Sequence, residues 1–441
     1  MDHPRNGFAA PPRGGDPGGP AKPDPRRLLD RQAQGAIETP GPWAIALAGA
    51  VSLAVAMGIG RFAFTPLLPM MLAERSIDLH TASWLASANY FGYLAGALLC
   101  TFQPWIWTRA RWLPPISAPW MVRGGLVATG LLTLGMALPW PASWPLLRFA
   151  AGVASAVVFV YTSGWCLAQL AKLGASATGG AMYTGPGAGI VISGLFVGVM
   201  IAWQQHAAEG WVVFGVLSFV LTATVWRIFR SGSNNAAAGA GPASAQAQPA
   251  ESHGRAEIGW LAFAYGLAGF GYIITATFLP VIARGALPGS PWLDFFWPIF
   301  GLGVIAGALL ATRLRVSGDL RLPLAACYGV QALGVGASLV SPTLAGFALG
   351  SLLLGLPFTM ITFFAMQEVR RLRPSSAASL MGLLTAMYGV GQIVGPPLAA
   401  QMLRIAPSEQ AGFMLSLEIA ASTLVLGAAV YLWMAKAFPK R

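Results

Sequence analysis

The stretch Met57–Met71, MGIGRFAFTPLLPMM, places an arginine inside a run, Trp43 to Ala73, that is otherwise uncharged. A second copy, GFGYIITATFLPVI, occupies Gly269–Ile282. The two align without a gap at an offset of 211 residues, pairing Gly58 with Gly269, Gly60 with Gly271, Leu68 with Leu279 and Pro69 with Pro280. Arg61 falls opposite Tyr272. The chain therefore reads as two related halves, of which the first carries a cation where the second has a phenol.

The surrounding composition explains why that cation matters. The 441 residues are 56% hydrophobic and 10% charged, against roughly 25% charged in soluble domains. Apolar runs repeatedly exceed the ~18 residues that read as a membrane span. The reading is an all-α polytopic membrane protein. Twelve transmembrane helices are expected, at 43–71, 82–103, 120–139, 144–170, 177–203, 210–229, 258–283, 292–312, 322–341, 343–367, 377–402 and 411–435. The Pro/Gly/Arg-rich segment 1–42 reads as a disordered cytoplasmic tail and not as a signal peptide. The Ala/Gly/Ser/Gln/Asn-rich segment 230–257 reads as a flexible cytoplasmic linker. The expected organisation is an N-terminal six-helix bundle, 43–229, a C-terminal six-helix bundle, 258–436, and a cytoplasmic C-terminus, 437–441.

The charges agree with this topology. With both termini inside, only Arg75, Arg284 and Arg404 of the 27 Lys and Arg fall in outer loops, Arg61 and Arg148 are assigned to spans, and Arg123 and Arg227, toward the inner ends of theirs, are counted with the inner side. The rest lie on the inner side, as the positive-inside rule requires. The net charge of +12 is thus topological, and no nucleic-acid partner is implied. Cys100, Cys166 and Cys327 sit in apolar runs without metal-ligand or disulfide spacing. None of His3, His80, His206 and His253 lies in an expected span. No metal or other cofactor is implied, and no cluster of His, Asp or Glu at membrane depth supports an enzyme. The chain has no Gly-x-x-x-x-Gly-Lys-Ser/Thr string for nucleotide-driven transport.

The repeat extends further. FGYLAGALL at Phe91–Leu99 matches LGVIAGALL at Leu302–Leu310, again offset by 211. Ala181-Met182-Tyr183 echoes Ala386-Met387-Tyr388, each followed by glycines and proline. Six helices repeated in the same orientation is the parallel-repeat plan of major facilitator transporters, with a site between the halves.

Longer strings carry a family resemblance. GIGRFAFTPLLPMM (Gly58–Met71), LLRFAAGVASAVVFV (Leu146–Val160), GPGAGIVISGL (Gly185–Leu195) and YGLAGFGYIITATFLP (Tyr265–Pro280) resemble the YbfB/YjiJ-type transporters of the major facilitator superfamily. The resemblance covers essentially everything after residue 42. It implies a carrier of the bacterial inner membrane working by alternating access, as symporter or antiporter. The loop between spans 2 and 3 departs from the wider superfamily. It reads CTFQPWIWTRARW, keeping Arg109 and Arg111 without the aspartate of the usual Gly-x-x-x-Asp-Arg-x-Gly-Arg pattern.

Candidate site residues follow from the cost of polar groups in lipid. An intramembrane charge costs ~2.5–3.5 kcal/mol on insertion scales and so faces a cavity or a partner. Arg61, with Thr65 one turn on, and Arg148, about one turn into span 4, are expected to face one outer vestibule. Two cations there favour an anion. Asn89 and Tyr93 in span 2, Tyr161 and Trp165 in span 4, Tyr272 in span 7, Thr362 in span 10, and Tyr388 and Gln392 in span 11 complete the expected substrate pocket. Glu418 in span 12 is the deep carboxylate available for protons as a coupling ion. Gly58, Gly60, Gly187 and Gly271, with Pro186 and Pro396, are expected to serve close packing and bending. The expected function is secondary transport of a small organic solute, favouring an organic anion, by a monomer in the lipid bilayer. Broad-specificity drug or metabolite efflux is the alternative, and a non-transporting receptor on a carrier fold a more distant one.

Overall fold

The computed structural model describes residues 40–109, 117–230, 255–290, 292–314, 318–372 and 377–439. The expected tail and most of the expected linker lie outside these. Every regular element among the described residues is helical: α1 (Pro42–Leu53), α2 (Phe64–Ala73), α3 (Leu79–Arg109), α4 (Ala118–Gly135), α5 (Trp144–Lys172), α6 (Gly185–Ala202), α7 (Ala207–Val225), α8 (Arg255–Ala286), α9 (Phe296–Arg313), α10 (Arg321–Val340), α11 (Leu344–Leu372), α12 (Ala377–Ile405) and α13 (Glu409–Ala437), with short tight turns between some of them. Proline stands in the first turn of α1, α4, α5 and α6, where its missing N–H costs no helix bond.

Eleven helical segments among the described residues are long and apolar enough to cross a membrane, α1 and α2 together making one of them. This is a multi-pass membrane protein. The helix that falls in the expected third span is α4, 18 residues long with Arg123 inside it, and it is not among the eleven. Arg123 is buried, and its guanidinium donates to the Trp226 carbonyl at 2.8 Å.

Two expected spans are not simple helices. Span 5 opens as a tight three-residue-per-turn helix, Ser176–Thr184, and becomes α-helical only at Gly185. Pro186 therefore sits in the first turn of α6 rather than bending a helix from within. Span 1 is broken in the middle. A wide turn of π-helix covers Ala54–Ile59, and residues 60–63 form a turn before α2 starts.

Within the first half, α3 and α4 pack on α5, and α4 packs on α7. Within the second, α9 and α10 pack on α11, α10 packs on α13, α12 packs on α8, and α8 also meets α13. Between the halves α3 meets α12, α6 meets α9, and α2 meets α8. The π-turn packs on α6 at backbone distance. A Cβ on Gly58 would lie 2.4 Å from Cα of Gly189, so a side chain there would force the two helices apart.

Candidate functional site

The break in span 1 is built by its proline. Pro66 has no N–H to offer the Phe62 carbonyl. That carbonyl instead takes the N–H of Thr65, at 3.1 Å, which in a regular helix would serve Arg61. The Arg61 and Gly60 carbonyls receive the guanidinium of Arg148 from α5, at 3.1 and 3.3 Å. One turn earlier, the π-turn sends the Gly60 N–H to Val55. The Ala56 carbonyl it skips accepts from Ser155, at 2.7 Å. Asn89 on α3 donates to the Arg148 carbonyl at 2.9 Å. The wall of α5 and α3 thus supplies donors that the irregular backbone lacks, as non-helical backbone at membrane depth requires.

This corrects the expectation of two cations in one vestibule. Arg148 is 2% exposed, its terminal nitrogens are bonded to backbone, and the Phe64 ring lies 4.8 Å from its Cζ. The sequence could not place it, because nothing in LLRFAAGV distinguishes a guanidinium that faces a cavity from one that completes a neighbouring helix.

Arg61 is the cation left over. It is 3% exposed and points from the broken turn between the halves. Its Nη2 donates to Oε1 of Gln392 on α12 at 2.6 Å. The Gln392 Nε2 in turn donates to the Tyr272 hydroxyl on α8. Three aromatic faces surround the guanidinium, with Tyr93 at 4.3 Å, Tyr90 at 5.1 Å and Phe62 at 5.3 Å. Each such contact contributes about 0.5–2 kcal/mol, which offsets part of the cost of burying the charge. Among the described residues no carboxylate pairs with Arg61. The residue that faces Arg61 in the repeat alignment, Tyr272, thus lies one hydrogen-bonded amide away from it in space.

Around this pair the second half contributes aromatic rings. Tyr272 stacks with Tyr388 at 5.8 Å and meets Phe358 edge-on at 5.1 Å. Tyr388 lies 4.9 Å from Tyr265, whose hydroxyl donates to Thr362 at 3.0 Å. The structure therefore brings Arg61, Tyr93, Tyr272, Thr362, Tyr388 and Gln392 together. Thr65 stands at the edge of the group, its hydroxyl donating to the Ala276 carbonyl at 3.0 Å.

The remaining expected residues lie elsewhere. Trp165 packs on Phe229, 4.9 Å away, in a separate apolar cluster with Ile45 and Val55. Tyr161 donates to Gln103 on α3. Glu418 is exposed on the outer face of α13 and does not reach the interior.

Several contributors were not expected. Tyr265 and Phe358 extend the ring stack, and the Tyr90 hydroxyl and that of Thr277 are 2.9 Å apart across the halves. Only the scarcity of polar groups in α8 hinted at Thr277. A charged cluster also stands at the end of the bundle near the C-terminus. Buried Arg321 contacts Glu257 at 3.0 Å, Asp319 at 2.8 Å and Glu368 at 3.9 Å, and it donates to the Met434 carbonyl. These residues sit at the margins of different helices and loops, so no local motif joins them.

A groove of about 720 Å³ runs along α4 and α5 past Trp120, Gly124, Phe149 and Val153. Trp120 is 62% exposed on the outside of the bundle, so this groove faces lipid and is not the space beside Arg61.

Comparison with known proteins fits this architecture. The crystal structure of the nucleoside transporter NupG matches with a TM-score of 0.63 at 14% identity, covering 91% of this chain and 99% of that one. The crystal structure of a mutant of NupG matches with a TM-score of 0.64, also at 14% identity, covering 88% and 99%. At that identity the likeness is one of fold. No curated protein matches in sequence. The model of the family described as uncharacterised MFS-type transporter YbfB matches residues 53–432, and the chain belongs to that family of membrane transporters.

Proposed function

We propose that the protein is a secondary transporter in which two six-helix halves, 43–229 and 258–436, rock about a central site to move a small organic anion held at Arg61. The observation that carries this reading is a guanidinium at membrane depth with a neutral amide and aromatic faces for partners. Such a charge is costly in lipid, and a carboxylate arriving from solution would supply the missing counter-charge. The half-buried rings of Tyr93, Phe358 and Tyr388 offer an apolar surface for the rest of the solute.

The repeat supports the two-half plan. A Cβ on Gly92 would lie 1.9 Å from the Phe149 carbonyl oxygen, and one on Gly303 would lie 2.7 Å from that of Leu352. A Cβ on Gly152 would meet the Asn89 carbonyl oxygen at 2.1 Å, as one on Gly355 would meet that of Phe300 at 2.2 Å. Close glycine-to-backbone contacts thus recur at matched positions of the two halves. Alternating access is supported by the uneven seal between them. Thr65 with Ala276, Tyr90 with Thr277 and Ser87 with Ile393 close the end away from the termini. Thr362, Thr385 and Tyr388, toward the other end, are only half-buried. With Glu418 on the outside, exchange or uniport fits better than a proton relay through that residue. The residues leave broad-specificity efflux as the competing reading, because the ring stack of α8 and α12 would also receive uncharged aromatic solutes.

The test is uptake into proteoliposomes and ligand-induced thermal stabilisation, comparing wild type with Arg61→Ala and Arg61→Lys. Carboxylates are expected to stabilise the wild type by mass action and to lose that effect in Arg61→Ala, with partial retention in Arg61→Lys. Equal stabilisation of wild type and Arg61→Ala by neutral or cationic compounds would favour efflux.

A further inference from the structure

This inference rests on the anion reading and narrows it. Arg61 belongs to the first half and Gln392 to the second, so their 2.6 Å bond is a tie between the halves. It lies beside the sealed end, next to the edge-on contacts of Phe62 with Trp297 and Phe358. Gln392 offers Arg61 one amide oxygen, while its nitrogen is held by Tyr272. The amide matches half of a carboxylate in shape and carries no charge. Among the described residues the Nε of Arg61, like that of Arg148, has no hydrogen-bond partner. The guanidinium therefore has donor capacity that Gln392 does not use. A carboxylate would take it, because it brings the counter-charge that the amide lacks and can accept two parallel N–H bonds from the guanidinium.

The count of cations limits the ligand. Arg148, the other arginine beside the break, is bonded to the Gly60 and Arg61 carbonyls. We propose that the substrate is a singly charged organic carboxylate, and that its carboxylate displaces the Gln392 amide from Arg61. Loading the site and releasing the tie between the halves are then one event. A neutral amide would exchange like for like and gain nothing. A dianion would bring a second carboxylate that finds no free guanidinium fork, because both terminal nitrogens of Arg148 are bonded to backbone carbonyls, and a charge left without hydrogen-bond partners is strongly disfavoured away from water.

The experiment uses the purified full chain in detergent, with acetate, benzoate, benzamide and phthalate as probes of one, one, no and two charges. Thermal unfolding is followed for wild type, Gln392→Leu and Gln392→Glu. The monocarboxylates are expected to raise the wild-type midpoint, and benzamide and phthalate to leave it unchanged. Removing the competing amide in Gln392→Leu is expected to tighten monocarboxylate binding about tenfold. Gln392→Glu, with its own carboxylate on Arg61, is expected to have a raised midpoint and no response. Phthalate acting as strongly as benzoate overturns the single-charge assignment and leaves the anion reading standing. Monocarboxylate affinity unchanged in Gln392→Leu overturns displacement, again leaving the anion reading; that variant decides the point even if Gln392→Glu does not fold. Benzamide acting as well as benzoate, or no response to any carboxylate, overturns both.

Discussion

The first and seventh spans are related in sequence and differ in structure. From Gly58 and Gly269 they run in register, glycine on glycine and Leu-Pro on Leu-Pro. Yet α8 is one helix from Arg255 to Ala286, while α1 and α2 are separated by a π-turn and a break. One position bears directly on the break, Pro66 against Thr277. Thr277 keeps its N–H within the helix and bonds its hydroxyl back to the Ile273 carbonyl at 2.7 Å. Pro66 leaves a carbonyl unserved, and the disturbance passes to Arg61. The partners differ to match. By the shared contacts of Gly152 and Gly355, Arg148 corresponds to Ser351, which bonds within its own helix to Phe347 at 2.7 Å. An arginine serves the broken span, and a serine suffices beside the intact one. Both spans contain a buried proline further on, Pro69 and Pro280, so that proline does not account for the difference between them.

Exchange of these devices tests the comparison. Thr277→Pro should have the largest effect. It is expected to cost about 3 kcal/mol or more for an interior proline, with a lower unfolding midpoint. Adding Ser351→Arg should recover part of that loss, and a double variant no more stable than the single one would break the proposed correspondence. Arg148→Ala should come next. It strands the Gly60 and Arg61 carbonyls, at about 1–3 kcal/mol for each unsatisfied group. Arg148→Lys should recover less than half, since its point charge cannot span two carbonyls as the fork does. Denaturation in detergent measures both.

The smallest effect belongs to a control outside the two spans. Asp78, ahead of α3, accepts the Thr81 N–H at 2.7 Å. Bonds from the Thr81 side chain and backbone hold its carboxyl below the usual range. A lowered native pKa means stability that is present above the unfolded value, about 3.9 for Asp, and lost as pH falls through the native one. Asp78→Ala should therefore cost a small, helix-cap-sized amount at neutral pH. That difference from wild type should shrink as pH falls below the unfolded value and disappear once it passes the lowered native one.

Much of the site was legible in the primary structure. Arg61 stood out because a charge in an apolar run must be answered by something, and Gln392 and Tyr272 because polar atoms in lipid need partners. Their meeting was not legible, since Arg61 and Gln392 are 331 positions apart. Tyr161 and Trp165 share a helix face and were grouped with the site on that basis. Helical spacing fixes which residues share a face but not what that face meets, and theirs meets Gln103 and Phe229. Glu418 read as deep by its distance along α13, but depth along a helix says nothing about which side of the bundle it faces.

By itself the sequence determined the membrane class, the helical content and the internal repeat. These depend on composition and on spacing along one chain, where each helix satisfies its own backbone and lipid accepts its apolar surface. Tertiary structure decided which arginine is bonded to backbone carbonyls and which is left with a neutral amide for a partner. Both are buried arginines in apolar helices, and local physics treats them alike. Only packing shows that Arg148 meets the Gly60 and Arg61 carbonyls at the break, while Arg61 meets one neutral amide.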